Sequence, residues 1–260
     1  MKAKDIIEIM NKWAKPSLID TWDNTGFQVG NEEKQIDKLL ISLDLDRDVL
    51  EKAIQEGHHM IITHHPLIFE PMKSITTNNY KEKLIYDLIK NNIVVYNAHT
   101  NLDQAKNGVS HELGRILGLE NIEILHYTDL DEKYGYGCVG NIQEIKVIDY
   151  VENIKTKLET NALVVYGDIK RKITKVAVCG GAGADFIYDA YKSGADVYIT
   201  GDIKYHEAQL ATEYDLTIID PGHFHTEKII LPVIKRYLKS ELPELVIDIW
   251  DKPSPIYHLY

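Results

Sequence analysis

The sequence predicts an α/β protein built from two similar halves, each a mixed, largely parallel sheet flanked by helices. Three observations predict this class. Apolar runs of strand length alternate with amphipathic stretches of helix length along most of the chain, the pattern of parallel strands joined by crossover helices. Two stretches share one design: Thr63-His64-His65-Pro66 followed by His99-Thr100-Asn101-Leu102-Asp103, and Thr200-Gly201-Asp202 followed by His223-Phe224-His225-Thr226-Glu227. The residues around them also correspond, Glu56-Gly57 with Ser193-Gly194 and Asn92-Ile93-Val94-Val95 with Asp215-Leu216-Thr217-Ile218. We read this as a diverged duplication, in a chain whose 260 residues can form one large domain or two modest ones.

In order, residues 3–13 read as an amphipathic helix, and 22–30 as a turn-rich loop, because Asn, Asp and Gly mark turns. The Trp22-Asp23-Asn24 part of that loop reads as a packed turn rather than a catalytic one. Residues 39–43 form a buried strand ending in Asp44, 47–56 a helix closed by Gly57, and 60–63 the next strand. Pro66 keeps the residue before it out of helical geometry and stops a central strand, so His64 and His65 sit where strand gives way to loop. A loop over 67–79, a helix over 80–91, a strand over 93–96 and a helix over 107–117 follow. The polar stretch His126–Gly137 is the expected junction, giving a first half of 1–125, joined by 226–260, and a second of 126–225. There the sequence predicts helices at 146–159, 185–193 and 203–213, and strands at 163–166, 175–179, 197–200 and 216–219. A helix from about His225 to Lys239 and a strand at 246–249 close the chain.

Composition narrows the function. A net charge of −11 argues against broad attraction to nucleic acid, which needs a basic footprint. No apolar run approaches the roughly 18 residues of a membrane span, and Met1–Pro16 lacks the apolar core of a signal peptide, so a cytoplasmic protein is expected. Cys138 and Cys179, far apart, suggest buried inert thiols rather than a disulfide or a zinc knuckle.

The candidate chemistry lies at strand ends, where open α/β sheets bind ligands. Adjacent His64 and His65 on extended backbone are expected to point to opposite faces, so each can serve one of two ions a few ångströms apart. His223 and Glu227, four apart at a helix start, share a face. Asp103 follows another strand, where Asp also commonly caps a helix. Histidine and carboxylate donors without thiolate suit Zn, Mn or Fe, in a catalytic or regulatory rather than structural role, and such an ion brings the ionisation of water near neutral pH. His99, His206 and His225 are candidate proton shuttles, or else outer-sphere or structural residues. Gly180-Gly181-Ala182-Gly183 reads first as a turn and second as a phosphate contact.

Together, Trp22-Asp23-Asn24-Thr25-Gly26, Thr63-His64-His65-Pro66, Asn101-Leu102-Asp103, Thr200-Gly201-Asp202 and Gly222-His223…Thr226-Glu227 resemble the NIF-three-like, or YbgI-like, family of dinuclear metal-centre proteins, the GTP cyclohydrolase 1 type 2 homologs. The resemblance implies two divalent ions per chain, held by His64, His65, Asp103, His223 and Glu227 between two α/β halves, with Glu227 favoured as bridge. It implies a homohexameric ring with its sites facing an inner cavity, and no extra domain between the halves, for which the length leaves no room. It also implies metal-dependent hydrolysis of a small molecule, with water adding to C8 of GTP and formate leaving. Phosphoester hydrolysis by the same ions and a metal-binding scaffold without turnover are the alternatives.

Overall fold

The computed structural model describes residues 1–128 and 133–252. Its elements, in chain order, begin with α1 (Ala3–Trp13), β1 (Gly26–Val29), β2 (Lys38–Ser42), α2 (Arg47–Glu56), β3 (Met60–Thr63), α3 (Tyr80–Lys90), β4 (Val94–Asn97) and α4 (Thr100–Gln104). There follow α5 (Val109–Leu117), β5 (Glu120–Tyr127), β6 (Gly135–Lys146), α6 (Val147–Leu158), β7 (Val164–Tyr166), β8 (Lys172–Val178), α7 (Ile187–Lys192) and β9 (Val197–Ile199). The last are α8 (Tyr205–Glu213), β10 (Thr217–Asp220), α9 (His223–Glu227), α10 (Leu231–Glu241) and β11 (Val246–Trp250). They form two compact units, Met1–Leu102 with the segment beginning at Leu231, and Asp103–Ile230.

The first unit holds a sheet of order β1-β4-β3-β2-β11. Its strands are parallel except β1, antiparallel on the outside of β4. Leu39, Leu40, Ile41, Ile61, Ile62 and Val95 are buried, the near-continuous apolar run of strands covered on both faces. Local signals set the helices. Asp46 caps α2 by accepting from the Val49 N–H at 2.9 Å, and Gly57 ends it in the left-handed region. Asn79 caps α3 in the same way. The second unit holds a sheet of order β5-β6-β8-β9-β10-β7, with β8, β9 and β10 parallel and β5, β6 and β7 antiparallel.

Both units thread their chain the same way. The series α1-β1-β2-α2-β3-α3-β4-α4, with β1 antiparallel outside the last strand, reappears as α6-β7-β8-α7-β9-α8-β10-α9, with β7 antiparallel outside β10. The next helix in each series then belongs to the other unit. α5 buries Leu113 and Leu117 among Val147, Tyr150 and Ile154 of α6, and the Tyr150 hydroxyl donates to the Leu117 carbonyl at 3.2 Å. α10 lies on α1, where Tyr237 packs on Trp13 with centroids 5.0 Å apart and donates to the Ile9 carbonyl at 3.0 Å.

These packings account for where the units divide. The divisions fall at Leu102/Asp103 and Ile230/Leu231: α5 and Ile229 share the core of the second unit, while α10 joins the first. The expected junction His126–Gly137 contains the ends of the β5–β6 hairpin; its residues 129–132 lie outside the described ones. A strand, β1, occupies part of the expected loop 22–30. The single helix expected over 225–239 is α9, a 3-10 turn at Lys228–Ile230 and then α10. Pro232 lacks an N–H and fits only a first helical turn, so the chain restarts its helix just before it.

Cys138 and Cys179 are free and buried, and burial pushes both thiols up to about 12, so they stay protonated at neutral pH. Among the described residues no helix is long and apolar enough to cross a membrane. Ile234, fully buried on α10, anchors that helix in the first unit. Ile234→Ala is expected to lower stability by about 2–5 kcal/mol, read as a lower urea midpoint.

Candidate metal centre

In the first unit, strand register brings the candidate side chains together. Ser42, Thr63 and Asn97 stand side by side on β2, β3 and β4, and Asp44, His65 and His99 each follow two residues later. The three side chains therefore emerge at one level beyond the same sheet edge. The His65 Nδ1 faces Asp44 Oδ1 at 2.8 Å, and the His99 Nδ1 faces Asp23 Oδ1 at 2.9 Å. His64, fully buried, sets its Nδ1 on the Ala98 carbonyl at 2.8 Å. An acceptor at Nδ1 keeps the proton on that nitrogen and leaves the Nε2 lone pair for a metal or a proton.

The adjacent histidines do not point apart as strand alternation predicts. β3 ends at Thr63, whose hydroxyl donates to the His65 carbonyl at 2.7 Å, and the chain bends before Pro66. The rings of His64 and His65 have centroids 5.1 Å apart, with His99 at 5.3 and 5.6 Å. One ring nitrogen from each of the three lies within 4.8 Å of the others, a group able to hold a metal ion.

In the second unit, Asp220 ends β10 and accepts from the N–H groups of Ile203 (3.0 Å) and Gly222 (2.8 Å), which sets the turn before His223. Burial raises its carboxyl above the ordinary range despite these hydrogen bonds. α9 then presents His223 and Glu227 on one face, with Nε2 and Oε2 3.0 Å apart. Asp202 accepts from His223 Nδ1 at 2.8 Å, the same device for a fourth time. Glu227 is only 4% exposed, and glycine makes room for it. Gly181 lies at φ +68°, and a Cβ there would stand 2.2 Å from Glu227 Oε1. The Gly181 N–H donates to Thr226 Oγ1 at 3.0 Å, tying this turn to α9. The glycine run thus seats the carboxylate, and its reading as a turn describes its place.

Asp103 is half-buried on α4 and lines a cleft of about 490 Å³ with Ser110, His111, Tyr134 and Cys138. His206 lies exposed on α8, 3.5 Å from Gln209. His225 is half-buried, with its Nδ1 on the Leu158 carbonyl at 3.2 Å, where burial lowers its pKa. Neither belongs to a possible metal group among the described residues. Three residues that sequence reasoning passed over, Asp23, Asp44 and Asp202, orient the histidines. The signal for two of them was present: Asp44 and Asp202, like the ligand candidates, directly follow strand ends.

Asp23 is the most constrained. Its side chain is fully buried. Burial alone would raise its carboxyl, but hydrogen bonds from His99, Thr25 and Thr100 outweigh that and hold it well below the ordinary carboxylate range.

A model of the Duf34/NIF3 (NGG1p interacting factor 3) family matches residues 1–254. The chain belongs to this family. A Clostridium perfringens protein named GTP cyclohydrolase 1 type 2 homolog is 39% identical over 243 residues, 93% of each chain. The crystal structure of a Bacillus cereus protein related to NIF3 superposes with a TM-score of 0.93 at 26% identity, covering 100% of this chain and 99% of that one. Reduced HcgD from Methanocaldococcus jannaschii superposes with a TM-score of 0.83 at 35% identity, covering 97% and 98%. The family's mixed α/β fold, with two sheets flanked by helices, is the fold of this chain.

Two predictions follow from the anchoring carboxylates. Asp202→Asn is expected to weaken metal affinity roughly 10–100-fold with an unchanged circular dichroism spectrum, as measured by competition with a chromogenic chelator. The depressed Asp23 carboxyl contributes stability that is complete above about pH 4, the unfolded value, and is lost as pH falls toward the folded one. Calorimetry from pH 6 down to about pH 2 is therefore expected to show a steeper fall in Tm for the wild type than for Asp23→Asn.

Proposed function

We propose that the chain is a dinuclear metal-dependent hydrolase whose candidate reaction is GTP ring opening, in which one water adds to C8 of guanine and opens the ring to a formamide, and a second water hydrolyses that formamide and releases formate. One observation carries the reading: His64, His65 and His99 bring one ring nitrogen each within 4.8 Å of one another, and His64, His65 and His223 have Nδ1 against an acceptor, which leaves Nε2 for an ion. Under this reading His64, His65, Asp103, His223 and Glu227 would hold two divalent ions (Zn, Mn or Fe). The donor set fits, since imidazole nitrogens and carboxylates without thiolate suit these metals. The ions would supply Lewis acidity and lower the pKa of water.

The chain's own residues have separate tasks. His99, oriented by Asp23 beside His64 and His65, moves the proton between attacking water and leaving group. The exposed His206 and the Leu158-bound His225 are not needed as shuttles. The repeated threading of the two units supports their origin by duplication. The names of relatives support GTP as substrate, and the acidic net charge suits a small nucleotide better than nucleic acid. A homohexameric ring with inward-facing sites, in the cytoplasm, completes the reading.

The test is formate release from GTP by protein reloaded with Mn, Zn or Fe. His64→Ala and Glu227→Ala are expected to lose both metal and formate release. His99→Gln is expected to keep its metal and lose roughly 10²–10⁴-fold in kcat. Two bound metals with no formate from any loading would sink the reaction and leave a metal-binding scaffold.

A further inference from the structure

Large exposed apolar side chains of the first unit gather beside the histidine cluster. Trp22 is 59% exposed and Phe69 44%. Their ring centroids are 6.0 Å apart with planes tilted by 55°, so neither ring covers the other. Trp22 also meets His99 edge-on, at 6.2 Å and 84°, and His99 in turn touches the rings of His64 and His65. A planar ring laid on this aromatic pair would lie next to the imidazole assigned to proton transfer.

Both aromatics sit on loops, yet the two loops are laced together. The Asn24 amide donates to the Ile68 carbonyl at 2.6 Å. Gln28 donates to the carbonyls of Asn24 (2.7 Å) and Ile68 (3.2 Å), while its own side-chain oxygen accepts from the Ile68 N–H at 2.8 Å. Asp23, next to Trp22, is fixed by hydrogen bonds from His99, Thr25 and Thr100. Trp22 and Phe69 are thus held in place by their neighbours in sequence and not by burial of their rings. Positioning of this kind lowers the ordering cost of binding, and it has no evident use in a loop that only links secondary structure.

We propose that Trp22 and Phe69 form a stacking site for the purine ring of a nucleotide, beside His99. The proposal rests on the hydrolase reading for its choice of substrate class. Stacking tolerates any base, because every base has a π-face, so this site supplies affinity for the ring, and selection of guanine falls to other contacts.

The test uses the intact, metal-loaded protein. Tryptophan emission is followed during titration with GTP, guanosine, ATP and inorganic triphosphate, and GTP binding is measured separately by equilibrium dialysis. GTP, guanosine and ATP are expected to quench saturably, and triphosphate not. Trp22→Leu is expected to abolish the quenching and weaken GTP binding roughly tenfold or more, and Phe69→Leu to weaken it less, with metal content equal to wild type in both. Trp22→Phe, which keeps an aromatic face, is expected to restore most of the affinity. Unchanged Trp22 emission with guanosine, or unchanged GTP affinity in Trp22→Leu, overturns the proposal. Emission from Trp22 already shielded from acrylamide in the nucleotide-free protein also overturns it, since another copy of the chain would then cover the ring. Saturable stacking without formate release supports the stacking site and removes only the hydrolytic reading.

Discussion

The hydrogen bond from an imidazole Nδ1 to a fixed acceptor is the interaction on which the rest of the site depends. A histidine free to rotate or change tautomer is a poor ligand and an indifferent base. Here four histidines are held at that nitrogen, three by carboxylates and one by a backbone carbonyl. The bonds in turn depend on strand register. With Ser42, Thr63 and Asn97 paired across the sheet, a slip of one residue would carry Asp44 away from His65 and reverse the faces of the slipped strand. The buried core of β2, β3 and β4 is therefore also what sets donor geometry.

The second unit meets the same requirement by close backbone approach. Glu227 can be buried beside His223 because Gly181 brings no side chain to the space its carboxylate fills. The Gly181 carbonyl accepts from the Gly201 N–H at 2.8 Å and the Thr200 hydroxyl at 3.0 Å, so the turns after β8 and β9 fix each other. A carboxylate and an imidazole 3.0 Å apart on one helical turn form a unit that can share a proton or share an ion.

Much of this was legible in the sequence where the signal is local. The strand end at Thr63, the closing of α2 at Gly57, and the i,i+4 pair of His223 and Glu227 all follow from short-range patterns. What escaped depends on long-range packing. β1 and the β5–β6 hairpin pair antiparallel at or near sheet edges, and the outward sides of β5 are polar enough to resemble a linker. The division at Leu102/Asp103 follows the apolar partners of α5, which no local pattern encodes. The convergence of His64 and His65 came from the bend between Thr63 and Pro66, where strand alternation no longer applies. Asp23 looked like part of a packed turn, and it is one, but that turn also aims His99.

The central claim is that His64, His65, Asp103, His223 and Glu227 hold two metal ions. The most direct measurement is anomalous diffraction from crystals of the protein reloaded with manganese or zinc, collected on either side of the metal's absorption edge. The account predicts two anomalous peaks per chain, within coordination distance of Nε2 of His64, His65 and His223, with a carboxylate oxygen of Glu227 between them. Peaks elsewhere, or none at these nitrogens in fully loaded crystals, would contradict it.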